Sequence, residues 1–214
     1  MDTSVNKSQW FLWTALAVVL LGVSGFALNR WLRSKELTKP TTTMADYGVA
    51  PAFALTDEND HPYSSANLKG RIWLADLIFT HCAGSCPLLT ARLASVEKSL
   101  VKAQNVQLIS FTVDPDHDTP RALLAYAKNY GVDTSQWAFL TGPRASIFKI
   151  ARDGFHLAVD SVGGDSTSPI IHSERIVLID AKGHIRGYFD GGDEEIQPKL
   201  LLAIGDLMRE EKES

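Results

Sequence analysis

The chain has only two cysteines, Cys82 and Cys86, and they stand four apart in C-A-G-S-C-P. The run before them is apolar and the proline after them suits the first turn of a helix, so the pair is expected on a strand-to-helix turn. A helix N-terminus favours thiolate through its dipole and free amide hydrogens, and Cys86, with Cys82 beside it, is expected to ionise more readily than a free thiol. Redox motifs of the C-x-x-C type have two intervening residues. Three residues leave room for a metal, although a reversible disulfide and a plain structural disulfide are also open to such a pair. Two thiolates and an imidazole make a soft, low-coordinate site suited to Cu(I), and the nitrogen can also support Cu(II). Structural zinc would need a fourth protein ligand, for which the neighbouring His81 is geometrically awkward.

By position the third ligand is His172. It follows the polar, glycine-containing stretch Ser161 to Pro169 and directly precedes a strand-like run. Four other histidines, His61, His117, His156 and His184, have no ligand-spaced partner and read as solvated or hydrogen-bonded. The acidic stretch Asp190 to Glu195 precedes a helical pattern and reads as capping rather than cation binding.

The elements that must hold these residues alternate between strand and helix patterns, which is the signature of an α/β domain. Arg71 to Phe79 is nearly continuous in apolar residues, as a central strand covered on both faces should be. Leu89, Leu93, Val96 and Leu100 then recur at helical spacing. Asn105 to Val113 reads as a second core strand. Asp118-Thr119-Pro120 supplies a cap and first-turn proline for a helix reaching about Tyr130. Trp137 to Leu140 is a short strand, Arg144 to Arg152 a short helix, and Ile176 to Asp180 with His184 to Phe189 a terminal hairpin around Ala181-Lys182-Gly183. An amphipathic helix over Glu194 to Met208 closes the pattern.

Residues 1–9 form a short tail, and Trp10 to Leu28 is an uncharged stretch long enough to cross a bilayer as a helix, with Trp10, Phe11, Trp13 and Trp31 at its ends. A cleaved signal would have a shorter apolar region and a more basic start. A single membrane anchor is therefore expected, followed by a polar linker over 29–47 and one domain over 48–214. Arg30, Arg33, Lys35 and Lys39 follow the span while only Lys7 precedes it, a charge balance that taken alone favours a cytoplasmic domain. The formal net charge of -4 offers no positive field for nucleic acid, so DNA and RNA binding are excluded.

Four segments, FTHCAGSCP, FTVDPDHDTP, WAFLTG over Trp137 to Gly142, and IIHSERIVLIDAKGHIRG, together resemble successive motifs of the Sco/SenC copper proteins. The resemblance spans most of the domain after the linker. It implies a thioredoxin-like fold with an N-terminal transmembrane helix, and copper held by Cys82, Cys86 and His172. It also implies a role in maturing the copper site of cytochrome c oxidase, with the copper-binding subunit as recipient and a copper donor or thiol reductant as second partner. The domain then lies on the periplasmic side of a bacterial inner membrane, or its mitochondrial equivalent. Asp114 and Asp118 match the family's D-P-x-x-D pattern, Asp114 as the residue expected to orient the copper loop and Asp118 as a helix cap. Ala83-Gly84-Ser85 departs from the Pro-Asp pair common after the first cysteine, which bears on partner choice and redox potential. The alternative use of the same cysteines is thiol-disulfide exchange or redox sensing.

Overall fold

A computed structural model describes residues 44–213 apart from 83, 85, 102, 104 and 161–169, together with a few positions between 13 and 26. The chain divides into two units, 1–43 and 44–214. In the first, the described residues Trp13, Leu16, Leu20, Leu21 and Phe26 are helical and their apolar side chains are exposed. Most of the predicted anchor, and all of the linker before Met44, lies outside the described residues. Among the described residues no helix is long and apolar enough to cross a membrane.

The second unit is built on a five-stranded sheet. Its strands are β3 (Ile72–Ile78), β4 (Val106–Thr112), β5 (Trp137–Leu140), β8 (Arg175–Ile179) and β9 (Ile185–Asp190), in the order β5-β4-β3-β8-β9. β3, β4 and β5 run parallel, while β8 is antiparallel to both β3 and β9. Parallel neighbours need crossovers that cover the sheet, and the strands between them must then be apolar on both faces. All seven residues of β3 and all seven of β4 are buried accordingly.

Alternation along β3 divides its side chains between two cores. Trp73, Ala75 and Leu77 join Phe53, Phe111, Phe155 and Val177 on one face. Ile72, Leu74 and Ile78 join the helices on the other: α1 (Cys86–Ser99) through Leu89, Leu93 and Val96, α2 (Pro120–Asn129) through Leu123 and Ala127, and α4 (Ile196–Glu213) through Leu200, Ile204 and Leu207. Each fully buried Leu, Ile or Phe contributes roughly 1.5–3 kcal/mol, so the two cores fix the sheet from which the site projects. Helix α2 starts as predicted, with Thr119 as N-cap accepting a hydrogen bond from Ala122 N and Pro120 at the first position.

Helix α3 (Arg144–Lys149) runs into a π-helical turn over Ile150–Gly154. Four short strands escaped the sequence reading. β1 (Ala54–Thr56) and β2 (Pro62–Ser64) form a hairpin bridged to the sheet at Thr56 and Thr141. The buried Glu58 carboxylate in its turn accepts from Phe139 N at 2.9 Å. β6 (Val159–Asp160) and β7 (Ile171–His172) pair antiparallel, with Val159 opposite His172. Arg152 fastens this pair to the π turn by donating from Nε to Val159 O at 2.9 Å.

Candidate metal centre

The cysteine turn is held from below by one buried carboxylate. As β3 ends, Thr80 donates its backbone N–H to Asp118 Oδ2 at 3.1 Å and its hydroxyl to Asp118 Oδ1 at 2.5 Å. The Thr112 hydroxyl at the end of β4 donates to the same carboxylate. Asp118 is fully buried and thus joins the ends of two adjacent strands to the residue two before Cys82. The loop contact expected of Asp114 is made by Asp118, the cap expected of Asp118 is Thr119, and Asp114 instead pairs with His117 and Arg144. D-P-x-x-D places both acids near the strand end, but only the turn decides which points inward.

Beyond Thr80, Cys82 N donates to Phe79 O at 3.3 Å and Gly84 N lies 3.4 Å from Cys82 Sγ, curling the chain over the first sulfur. Cys86 opens α1. Both thiols are free and buried, Cys82 with 8% of its surface exposed and Cys86 with none.

His172 reaches the turn from β7. Its Nε2 is 3.2 Å from Cys86 Sγ and its Nδ1 is 3.1 Å from Ser173 O. A carbonyl can only accept, so Nδ1 carries the ring hydrogen, and Nε2 accepts from the Cys86 thiol. The ring stands edge-on to Phe79 with centroids 5.6 Å apart. Burial lowers the His172 pKa and keeps the imidazole neutral, which is the ligating form.

Cys86 departs from the sequence expectation. Burial pushes its thiol pKa up, and the neighbouring Cys82 and the charge of Asp76 act in the same direction. The helix N-terminus does favour thiolate, but a sulfur with no exposed surface loses more by desolvation than one helix end returns.

The structure thus brings Cys86 and His172 into contact and places the Cys82 thiol close enough to act on Cys86. Among the described residues no three His, Cys, Asp or Glu side chains are gathered as a closed metal cage. Residues 83 and 85 of the turn, and the 161–169 stretch expected to swing beside it, lie outside the described residues. His81 is exposed, with its Nδ1 3.0 Å from the Thr80 hydroxyl oxygen. His184 pairs with Asp46 at 2.9 Å, and Asp193 in the acidic stretch accepts from Glu195 N at the start of α4, both in structural roles as expected.

One polar residue of the site's surroundings was passed over in the sequence. Asp76 lies in the middle of β3 with 2% of its surface exposed, on the face that packs against α1. Its Oδ1 accepts from the Ser110 hydroxyl at 2.6 Å, and Trp137 Nε1 donates to that same hydroxyl oxygen at 2.8 Å. Oδ2 has no hydrogen-bond partner among the described residues. Burial pushes the Asp76 pKa from the ordinary 3.8 up to about 7. A lone acid inside R-I-W-L-A-D-L-I-F was the available signal.

A central β3-β4-β5 parallel unit continued by an antiparallel hairpin, with a reduced cysteine pair where the central strand meets its helix, defines a thioredoxin-like thiol protein. Residues 41–203 match the SCO1/SenC family, and the chain belongs to that family. It is 36% identical over 149 residues to the SCO1 protein homolog of Bacillus subtilis, covering 68% of this chain and 75% of the relative. Among solved structures it is similar to a SCO1/SenC family lipoprotein from Bacillus anthracis, with 31% identity, a TM-score of 0.69, and coverage of 75% of this chain and 95% of that one. It is also similar to ScoI of Bradyrhizobium japonicum, solved with copper bound, at 27% identity and a TM-score of 0.61, covering 71% of this chain and 97% of that one.

Proposed function

We infer that this protein is a copper-binding assembly factor for a respiratory cytochrome c oxidase, using Cys82, Cys86 and His172 as its ligands. The observation that carries the reading is the contact of Cys86 Sγ with His172 Nε2 at 3.2 Å beside a second free thiol. Two sulfurs and one imidazole suit Cu(I), and the nitrogen supports Cu(II) as well. Ser173 O holds the opposite ring nitrogen, which fixes the tautomer and aims Nε2 at the sulfur. Copper is cargo in this reading. It passes by exchange between thiolates of this protein and those of a copper donor, then of the oxidase's copper-binding subunit, with ligands shared during transfer.

Residues 10–28 would anchor the chain in the bacterial inner membrane or its mitochondrial equivalent, with the domain on the periplasmic side. The exposed apolar side chains at Trp13, Leu16, Leu20, Leu21 and Phe26 support lipid contact. An export-dependent reporter fused after Ser214 should be active; activity of a cytosol-only reporter instead would overturn that orientation.

The runner-up is thiol-disulfide exchange by the same cysteines, favoured by both being free and adjacent. Copper titration with X-ray absorption on the full chain and on His172→Ala separates the two. Wild type should retain one copper with sulfur and nitrogen ligands, and the variant should lose at least about tenfold in affinity, since outer-sphere changes alone cost 10–100-fold. Unchanged affinity and nitrogen coordination in His172→Ala would remove the histidine, and wild type that holds no copper would leave thiol exchange as the function.

A further inference from the structure

Beside the cysteine turn lies a second pair of groups, which the ligand set above does not use. His81, next to Cys82, and His117, in the loop between β4 and α2, are both exposed, with ring centroids 6.3 Å apart. Hydrogen-bond bookkeeping fixes which nitrogen each ring leaves free. The Thr80 hydroxyl spends its one hydrogen on Asp118 Oδ1, so toward His81 Nδ1 at 3.0 Å it can only accept, and Nδ1 of His81 is the N–H. His117 Nδ1 lies 2.7 Å from Asp114 Oδ2, a carboxylate that accepts, so that nitrogen is also the N–H. Among the described residues, neither ring's Nε2 has a hydrogen-bond partner. Asp114 is itself nearly buried and tied to Arg144 at 3.3 Å, so His117 hangs from a fixed support.

The geometry points to a second metal site, in which His81 Nε2 and His117 Nε2 together hold an exchangeable divalent copper ion outside the cysteine site. With metal–nitrogen bonds of about 2.0 Å, two imidazoles on opposite sides of one ion have centroids about 6 Å apart; these two rings stand 6.3 Å apart at an interplanar angle of 69°, a separation that one ion can bridge when the two exposed side chains turn toward it. The partners on the far nitrogens are those of a metal-ready histidine: a carboxylate for His117 and a hydroxyl oxygen for His81, both orienting the ring and raising ligand basicity. Nitrogen donors select Cu(II) most strongly among the divalent first-row ions, whereas the two thiols select Cu(I). Among the described residues no third His, Cys, Asp or Glu joins the pair, so water completes the coordination and the ion exchanges readily. Of the two acids flanking His117 in sequence, Asp116 is held by Arg144 at 2.6 Å and Asp118 by Thr80 and Thr112.

This site goes beyond the copper reading of the cysteines, and its test is made where that reading has no part. The full chain carrying Cys82→Ser and Cys86→Ser is titrated with Cu(II) and followed by electron paramagnetic resonance. One ion with nitrogen hyperfine structure is expected, with affinity falling at least about tenfold on adding His81→Gln or His117→Gln and unchanged on adding His184→Gln. In the same cysteine-free chain, trace Cu(II) should broaden the ring proton signals of His81 and His117 before those of His61, His156 and His184. Absence of nitrogen-coordinated Cu(II) in the cysteine-free chain, or affinity indifferent to both substitutions, would overturn the site. Cu(I) binding with sulfur coordination in wild type is read separately, and its failure would count against the cysteine site alone.

Discussion

Asp76→Asn isolates the cost of keeping an acid inside the core behind the cysteine turn. The side chain is buried on β3, one oxygen is satisfied by Ser110 and the other has no partner among the described residues. In the unfolded chain the carboxyl ionises near 3.8, whereas in the fold it holds its proton to about 7. The folded pKa is the raised one, so the contribution of the neutral acid is intact below about pH 4 and is lost as pH rises toward 7, above which it is flat. About three pH units at 1.36 kcal/mol each give roughly 4 kcal/mol, a ceiling reached only if no water enters and nothing relaxes. Against a typical net stability of about 5–15 kcal/mol this is a large fraction. Asparagine keeps the shape and an oxygen for the Ser110 hydroxyl and never ionises, so the difference between the two proteins carries the titration alone. Urea unfolding is followed by fluorescence of the buried Trp73 and Trp137. Near pH 4 the two proteins should be close, and by pH 8 the variant should be more stable by about 2–4 kcal/mol. Because the Asp76 charge pushes the Cys86 thiol up, alkylation of Cys86 at pH 8 should also be faster in the variant. A stability difference that is constant from pH 4 to pH 8 would refute the reasoning.

Asp118→Ala should destabilise the domain by about 3 kcal/mol, since it leaves the half-buried Thr80 and buried Thr112 donors without their charged acceptor, and urea unfolding measures it. The same variant should hold copper more weakly than wild type, because the residue that steadies the start of the cysteine turn is gone. Mild oxidation should take thiol counts from two to zero, and a reductant should restore both, because a turn of three intervening residues lets the two sulfurs meet with little backbone movement. Two thiols that persist under oxidant would count against a reversible disulfide.

What the sequence revealed and what it hid divide along physical lines. β3 and β4 were legible because a strand buried on both faces must be apolar almost throughout, and Trp137 to Leu140 matched residue for residue. Helix α2 announced itself through Thr119-Pro120. β1, β2, β6 and β7 are two or three residues long and carry no periodicity, so they were not found, although β7 is what delivers His172 to the turn. His172 was reached by its place after a polar stretch and by family resemblance, not by any signal of its contact with Cys86. Which of Asp114 and Asp118 faces inward, and whether the helix end or burial governs Cys86, are decided by packing that one sequence does not display.

Burial acts on the two contacting groups in opposite senses with the same result. The thiol of Cys86 is pushed up and the imidazole of His172 is pulled down, so both are neutral and share one proton-mediated bond in an apolar setting. A charged pair there would meet the full desolvation penalty, and the neutral pair avoids it. On the copper reading, an ion that takes the place of that proton restores balance to the sulfur: the thiolate forms only together with the cation that compensates it. Loading then releases thiol protons, and affinity should rise with pH, by up to tenfold per unit for each proton released, until the thiols would ionise unaided. The helix N-terminus, too weak by itself to ionise a buried sulfur, contributes once the thiolate exists, because its dipole favours the negative charge left on a sulfur that shares a monovalent ion. Burial, helix end and imidazole thus favour a site that binds its cargo by exchange for protons, not one that waits as an open anion.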